Sequence, residues 1–168
     1  MKKFTAIIFC FVLCSALLLI GCQSFNDLEN DCKGNWTFSN FYVVNNKTHV
    51  TTRYNDLGEF VSGSLNTIVK SIGDYYKNSK LNLDGSKNEG KISGTYIKNG
   101  QTTNIAWWCP ENELKILFDN FTLYSVQGTA KNPTKTTFTE AICLLGNDKL
   151  YICYRTSIFT SYILFIRV

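Results

Sequence analysis

Apolar and polar residues alternate with a period of two along much of the chain, and this alternation predicts short β-strands. It is clear at residues 36–44 and 50–54, which flank the turn-forming tripeptide Asn45-Asn46-Lys47. Aromatic and β-branched side chains, which suit a pleated surface, are frequent in both segments. The polar part of the chain is therefore predicted to begin its fold with two strands joined by a turn.

The period changes at residues 64–77, where apolar residues recur at the spacing of a helix: Leu65, Ile68, Val69, Ile72, Tyr75 and Tyr76. Positions separated by three, four and seven residues share one face of an α-helix, so they form a single apolar stripe. Ser62 or Ser64 suits the start of this helix and Asn78 suits its end. Gly73 weakens it by about 1 kcal/mol relative to alanine. We expect the stripe to pack on the core rather than on a membrane or a partner.

From residue 81 onward the pattern predicts a β-meander. Residues 91–98 and 101–108 flank Asn99-Gly100, a pair that favours a type I′ hairpin turn. Three further groups of residues are predicted strands: 114–118 with 121–126 around Asp119-Asn120, 138–145 with 150–154, and 158–167. Pro110 and Pro133 lie between predicted strands. The fold class predicted is mainly β, an antiparallel meander closed into a barrel, with one amphipathic helix near residues 64–77.

The first residues have the pattern of an export signal. Lys2 and Lys3 precede an uncharged, mostly apolar run from residue 4 to residue 20. This run has 17 residues, which is at the short limit for crossing a bilayer as a helix. We interpret residues 1–21 as a signal peptide, and a retained transmembrane anchor is the alternative.

The end of the run, Leu19-Ile20-Gly21-Cys22, resembles the lipobox of bacterial lipoproteins. The resemblance implies cleavage between Gly21 and Cys22 and attachment of acyl chains, such as palmitate, to Cys22. Several chains would hold the protein stably to a membrane, since each buried methylene contributes about 0.8 kcal/mol. Residues 22–31 are polar and are interpreted as a lipidated tether. The alternative is ordinary signal-peptide cleavage near Gly21 or Ser24, which releases a secreted protein.

The signal, the size and the composition rich in Asn, Lys and Thr resemble the small outer-membrane lipoproteins of intestinal spirochaetes. This resemblance implies a lipid-anchored protein of the cell outer membrane. The proteins of that group are known chiefly as surface antigens. Gln23 agrees with it, because Asp at that position retains lipoproteins at the inner membrane in well-studied bacteria. No functional residue is carried over from that group.

Removal of residues 1–21 leaves residues 22–168, of which 32–168 are predicted to form a single β-rich domain. Without Lys2 and Lys3, Lys plus Arg falls from 17 to 15 against 13 Asp plus Glu, a formal charge of +2. The basic residues are scattered and form no stripe. This distribution argues against a nucleic-acid partner.

Four cysteines remain besides Cys22 in the predicted mature chain: Cys32, Cys109, Cys143 and Cys153. An even number in an oxidising compartment favours two disulfides, with three pairings open. The alternative is four buried thiols. No metal site or cofactor is predicted, because CxxC spacing is absent and His49 is the only histidine.

Two segments at opposite ends of the domain resemble the calycin arrangement of lipocalins and avidins. Gly34-Asn35-Trp36 opens the first strand and Arg167 lies in the last. The resemblance implies that Arg167 stacks on Trp36, a cation–π contact worth about 1 kcal/mol or more when desolvated. The chain departs from that family by inserting a helix after two strands and by lacking the helix that follows the last strand.

Catalytic constellations are not evident in the sequence. His49 has no partner motif for a nucleophile, and the carboxylate pairs Glu111/Glu113 and Asp56/Glu59 lie in polar, turn-like surroundings. We therefore predict no enzyme activity.

In the pair Trp107-Trp108, neighbouring side chains of a strand point to opposite faces, so one ring is expected in the core and the other outside.

Two functions from different classes remain open at this point. The first is a lipid-anchored surface lipoprotein with a structural, antigenic or host-interacting role, or an accessory subunit of an envelope complex. The second is a lipocalin-like binding protein for a small apolar ligand. The two differ in the barrel interior, since a binding cup needs a cavity of roughly 300 Å³ or more.

Overall fold

The computed structural model describes residues 25–110 and 115–168. Its helices are α1 (Phe25–Cys32) and α2 (Ser64–Tyr76), and a 3-10 turn lies at Tyr54–Asp56. The strands are β1 (Asn35–Asn45), β2 (Thr51–Arg53), β3 (Lys80–Asn82), β4 (Lys87–Asn88), β5 (Lys91–Lys98), β6 (Gln101–Trp108), β7 (Lys115–Asp119), β8 (Leu123–Gly128), β9 (Pro133–Phe138), β10 (Glu140–Gly146), β11 (Lys149–Arg155) and β12 (Phe159–Arg167). The predicted mainly-β fold with one amphipathic helix near residues 64–77 is confirmed.

Eight strands close into an antiparallel barrel in the order β1-β3-β5-β6-β7-β10-β11-β12. Closure comes from β1 and β12, which pair from Trp36 opposite Arg167 to Asn45 opposite Phe159. A bulge between Phe38 and Asn40 bends β1, and its other edge pairs first with β3 and later with β2. This closure satisfies the edges that an open sheet would leave unpaired.

Two turns explain why neighbouring strands pair as the sequence predicts. Asn99 and Gly100 have φ of 50° and 78°, and Asn147 and Asp148 have φ of 48° and 57°. Positive φ at both central residues is the requirement of a type I′ turn, whose twist matches the twist of paired strands. The hairpins β5–β6 and β10–β11 follow from it.

The predicted hairpin of residues 114–118 with 121–126 is wrong. β7 pairs with β6 and β10, whereas β8 leaves the barrel and pairs only with β9. Of the two turn residues, only Asn120 has a positive φ, 57°. The connection is therefore no type I′ turn, and the chain goes on to Phe121 and Leu123, which are buried.

Helix α1 closes the end of the barrel where β1 begins and β12 ends. The Trp36 Nε1–H group donates to the Cys32 carbonyl at 2.8 Å. The Arg167 guanidinium donates to the carbonyls of Lys33 at 2.7 Å and Asp31 at 2.9 Å. The last carbonyls of a helix lack partners within it, which makes them good acceptors for these groups. Part of the segment interpreted as a tether is therefore helical, since residues 25–32 form this helix.

At the other end, α2 and the β8–β9 hairpin pack together over the barrel. Val69, Ile72 and Tyr76 of the predicted stripe are fully buried, so its role in the core is confirmed. The Tyr124 N–H donates to the Tyr76 hydroxyl at 2.8 Å, which links helix and hairpin. The Val126 N–H donates to the Ser161 hydroxyl of β12 at 3.1 Å, which links hairpin and barrel.

The space between these two ends is filled by large side chains. The largest fully buried ones are Trp36, Trp107, Tyr76, Phe41, Phe159 and Phe165. Among the described residues, the buried polar side chains are only Ser79, Ser125, Thr160 and Ser161, and none is charged. Neither described helix is long and apolar enough to cross a bilayer.

Candidate functional site

Apolar side chains cover the outer face of four adjacent strands, and we call this face the aromatic wall. In β1, Phe41 and Val43 are buried in the core, so the alternate residues Tyr42 and Val44 point outward. The register places Tyr42 opposite Tyr162. The wall consists of Tyr42, Val44, Ile142, Leu144, Tyr151, Cys153 and Tyr162.

The aromatic wall is concave and ordered by stacking. The rings of Tyr42 and Tyr162 stack with centroids 4.8 Å apart and planes 15° apart. Two adjoining shallow depressions, of about 350 and 490 Å³, share Val44, Leu144 and Tyr162 in their linings. Ile142 and Leu144 remain 41% and 48% exposed, which is unusual for apolar residues in the middle of a sheet.

Burial disfavours the charged forms of two titratable groups of the wall. It raises the pKa of the Tyr42 hydroxyl to about 12, helped by the nearby Tyr151. It also raises the pKa of the Cys153 thiol to about 12. Positive charge lies instead at the edge, on Lys149 and Arg155, which line the two depressions. Within the described parts of the chain, neither of these two cations forms an ion pair.

The structure brings together Trp36 and Arg167, the pair expected to stack. The Arg167 guanidinium carbon lies 4.2 Å from the Trp36 ring centroid, and its Nε lies 3.3 Å from an Asp148 carboxylate oxygen. Gly34 has a φ of 131°, and a Cβ there would lie 2.6 Å from the Arg167 guanidinium. The glycine of the Gly-x-Trp motif therefore leaves room for the arginine.

The cysteines separate into a cluster of three and a single residue. The Cys32 and Cys143 sulfurs lie 3.8 Å apart, and Cys109 lies close enough to Cys32 to interact with it. Cys153 pairs in register with Ile142 and lies on the aromatic wall, on the opposite face of the sheet from Cys143. No disulfide joins any two of these four described cysteines. The expectation of two disulfides is corrected, because side chains that point apart cannot be bridged.

The other residues singled out from the sequence form no joint site. His49, Asp56 and Glu59 are exposed on separate segments. His49 has a φ of 57°, follows the turn after β1 and lines one of the two depressions of the aromatic wall. Gly21, Cys22, Glu111 and Glu113 lie outside the described residues. Searched over residues 25–110 and 115–168, the chain gathers no group of histidine, cysteine and carboxylate side chains suited to a metal ion.

Trp107 and Trp108 have the arrangement expected of neighbours in a strand. Trp107 is fully buried, and Trp108 is half-buried on the outer face. The Lys91 amine lies 4.8 Å from the centre of the Trp108 ring and 2.9 Å from an Asp119 carboxylate oxygen. Lys91 on the neighbouring strand therefore covers part of the outer ring.

A cleft of about 340 Å³ lies at the α2 end, between α2 and the β5–β6 hairpin. Tyr75, Tyr96 and Lys98 line it, and the Lys98 amine lies 3.6 Å from the centre of the Tyr75 ring. Its lining is predominantly polar, and the barrel below it is filled by the core. This arrangement does not favour a cup for a small apolar ligand, which needs an apolar cavity.

Sequence reasoning missed the aromatic wall. Its strands carry apolar residues on both faces, as in the segment Tyr151-Ile152-Cys153, a pattern that resembles a strand buried on both faces. In an eight-stranded barrel of this size only one face of each strand can point inward. Apolar runs without alternation in β10 to β12 were the available signal for a second covered face.

Comparison of the chain with protein-family models, curated proteins and solved structures gives no match.

Proposed function

We propose that this protein is a lipid-anchored lipoprotein of the cell outer membrane, with a non-catalytic barrel that binds a protein partner through the aromatic wall. The partner is an envelope or host protein. The observation that carries the proposal is the contrast between a filled barrel interior and an uncovered apolar outer face. Exposed apolar surface of this kind is typical of protein interfaces.

The chemistry of the wall favours a protein with an apolar surface bordered by carboxylates. Stacked tyrosines and aliphatic side chains supply the buried centre that such interfaces use. Lys149 and Arg155 at the edge complement an acidic border. The depressions are concave and so accept protruding side chains, whereas a bilayer surface offers none.

The anchor is tested by the variant Cys22→Ala in the native bacterium. We expect the wild-type protein to incorporate labelled palmitate and to partition into detergent, and the variant to lose the label and become soluble. Ser24→Ala is the matched control, since it alters the neighbouring residue and leaves the thiol in place. A variant that stays in the membrane, or a wild-type chain that keeps residues 1–21, would contradict the anchor.

The partner is tested by photo-crosslinking in intact cells from an amino acid placed at position 144. We expect one discrete protein adduct there and none from position 104, which is exposed on the opposite wall. Reversal of the edge charges with Lys149→Glu and Arg155→Glu should abolish the adduct, while Phe60→Ser, at a fully exposed loop residue, should preserve it. An adduct of two copies of this chain, an adduct to lipid, or none at all would each contradict a protein partner at the wall.

A further inference from the structure

Three sulfur atoms converge at the end of the barrel where α1 lies. Cys32 is the last residue of α1, Cys143 points inward from β10, and Cys109 follows the end of β6. The Cys32 and Cys143 sulfurs are 3.8 Å apart, and the Cys109 thiol lies close enough to Cys32 to interact with it. Two segments that are distant in sequence, those of Cys109 and Cys143, therefore bring their thiols to Cys32.

The three thiols differ in exposure, and this difference assigns them separate chemical roles. Cys32 and Cys143 are 0% and 3% exposed, whereas Cys109 is partly open to solvent. An external disulfide can therefore reach Cys109 and cannot reach the other two in the folded protein. A bond between Cys32 and Cys143 would in turn be shielded from external thiols.

We propose that Cys32, Cys109 and Cys143 form a thiol–disulfide exchange site that makes a single disulfide, with Cys32 as the shared partner. Cys109 receives the oxidising equivalent, and the bond between Cys32 and Cys143 is the final product. That bond staples α1 to the barrel wall. The inference is independent of lipid attachment and of the aromatic wall.

The oxidant is a disulfide in the protein's surroundings, either the disulfide form of an oxidising protein or a small disulfide such as oxidised glutathione. The Cys109 thiol attacks it and forms a mixed disulfide, which releases one donor thiol. Cys32 then attacks the Cys109 sulfur and releases the second donor thiol. Finally Cys143 attacks the Cys32 sulfur, which returns Cys109 to its thiol form. In sum two thiols of the chain lose two electrons and two protons, and the donor disulfide becomes two thiols.

Cys153 takes no part in this site. It lies on the outer face of β11 and shares no contact with the cluster. Cys153 is therefore a matched control. It is also a buried thiol, on a strand next to that of Cys143, but its side chain points away from the cluster.

The staple would hold a helix that otherwise relies on weak contacts. α1 is attached to the barrel by hydrogen bonds from Trp36 and Arg167 and by the ion pair of Glu29 with Lys87 at 2.8 Å. A disulfide adds the stability that comes from closing a long loop in the unfolded chain. The amide hydrogens of α1 should then exchange roughly tenfold or more slowly in the oxidised protein.

The experiment uses the purified full chain, equilibrated with an excess of oxidised over reduced glutathione, quenched by acid and mapped by mass spectrometry. We expect one internal disulfide per chain, between Cys32 and Cys143, with Cys109 and Cys153 alkylated. Cys143→Ser should move the bond to Cys32 with Cys109, and Cys153→Ala should change nothing. In Cys109→Ala the same bond should form at least tenfold more slowly in the folded protein.

Several outcomes would overturn the proposal. These are a disulfide that contains Cys153, a bond between Cys109 and Cys143 in the wild type, and four free thiols after equilibration. Unchanged oxidation kinetics in Cys109→Ala would remove its role as the entry thiol. Mapping of the wild-type chain requires no substitution. It therefore tests the bond between Cys32 and Cys143 even if a variant does not fold.

Discussion

Gly73 has a reason to be in a helix that its sequence context does not reveal. It is buried in the last turn of α2, and a Cβ there would collide with the Tyr54 ring. Tyr54 is held in place, because its hydroxyl donates to an Asp74 carboxylate oxygen at 2.8 Å. The close approach of the ring therefore requires glycine, although glycine costs the helix about 1 kcal/mol relative to alanine.

We expect Gly73→Ala to lower the free energy of unfolding by about 1–3 kcal/mol, the usual cost of overpacking, in spite of its better helix propensity. Urea unfolding monitored by circular dichroism measures the change. In a Tyr54→Ala background the same substitution should be stabilising, by about 1 kcal/mol. Ser71→Ala, on the exposed face of the same helix, is the control; a neutral Gly73→Ala would show that Tyr54 moves aside freely.

The buried thiol of Cys153 links stability to alkaline pH. Burial raises the pKa of this thiol to about 12 from its ordinary value of 9.0. Between these two values the unfolded chain loses the proton and the folded chain keeps it, so the folded state binds more protons. The free energy of unfolding therefore falls as pH rises above 9, by at most about 1.4 kcal/mol per pH unit for this group, and is unaffected below it.

We expect Cys153→Ala to have a shallower loss of stability between pH 9 and pH 11 than the wild type, both measured by urea unfolding under reducing conditions. At pH 7 to 8 each protein should show a flat profile, which serves as the internal control. Parallel slopes above pH 9 would mean that the thiolate of Cys153 is tolerated in the folded state.

At the scale of elements, α1 is attached to the barrel by residues from its first and last strands. Trp36 in β1 and Arg167 in β12 contact the last carbonyls of the helix, and they also contact each other. These two strands are the pair that closes the barrel. Closure and the docking of α1 therefore depend on the same few side chains.

Arg167→Ala is expected to lower the free energy of unfolding by about 2 kcal/mol, since it removes the stack on Trp36 and two hydrogen bonds to carbonyls. Arg167→Lys should recover only part, because an ammonium cannot replace the planar fork. In Arg167→Ala the rate of amide hydrogen exchange should increase most in α1. Arg155→Ala, at an exposed arginine, is the control and should stay within about 0.5 kcal/mol of wild type. Unchanged exchange in α1 would argue that Arg167 supports β12 alone.

At the scale of the whole molecule, the barrel has two distinct ends. α1 begins three residues after Cys22, so an acylated Cys22 would lie within about 11 Å of the first residue of α1, the helix at one end of the barrel. The ion pair of Lys87 with Glu29 places the β4–β5 turn beside α1, whereas the loop around Phe60 precedes α2 at the other end. Proposed anchoring thus implies that the loop around Phe60 projects away from the membrane.

A peptide tag inserted at residue 60 should bind its antibody equally well in opened envelope fragments and in the soluble Cys22→Ala form. The same tag inserted at Gly90, in the exposed turn beside α1, should bind at least several-fold less in the fragments and fully in the soluble form. Equal binding of both tags in the fragments would contradict this orientation while leaving the lipid anchor itself untouched.

Local patterns in the sequence determined the parts of the fold that depend on neighbouring residues. The spacing of apolar residues predicted α2, and Asn99-Gly100 predicted the β5–β6 hairpin with its strand bounds, because helix periodicity and type I′ turns are set within a few residues. Trp36 and Arg167 are an exception at long range, where a resemblance led to the pair that lies at the seam of the barrel.

Only the tertiary structure decided which strands distant in sequence pair, and that β8 and β9 leave the barrel. It also decided which face points outward in strands that are apolar on both faces. The aromatic wall and the meeting of Cys32 with Cys109 and Cys143 both follow from those decisions. Residues distant in sequence become neighbours only when the sheet closes, and no local propensity encodes the register of that closure. For this reason the candidate surface and the thiol site depend on the closed barrel, while the predicted lipid anchor rests on the sequence.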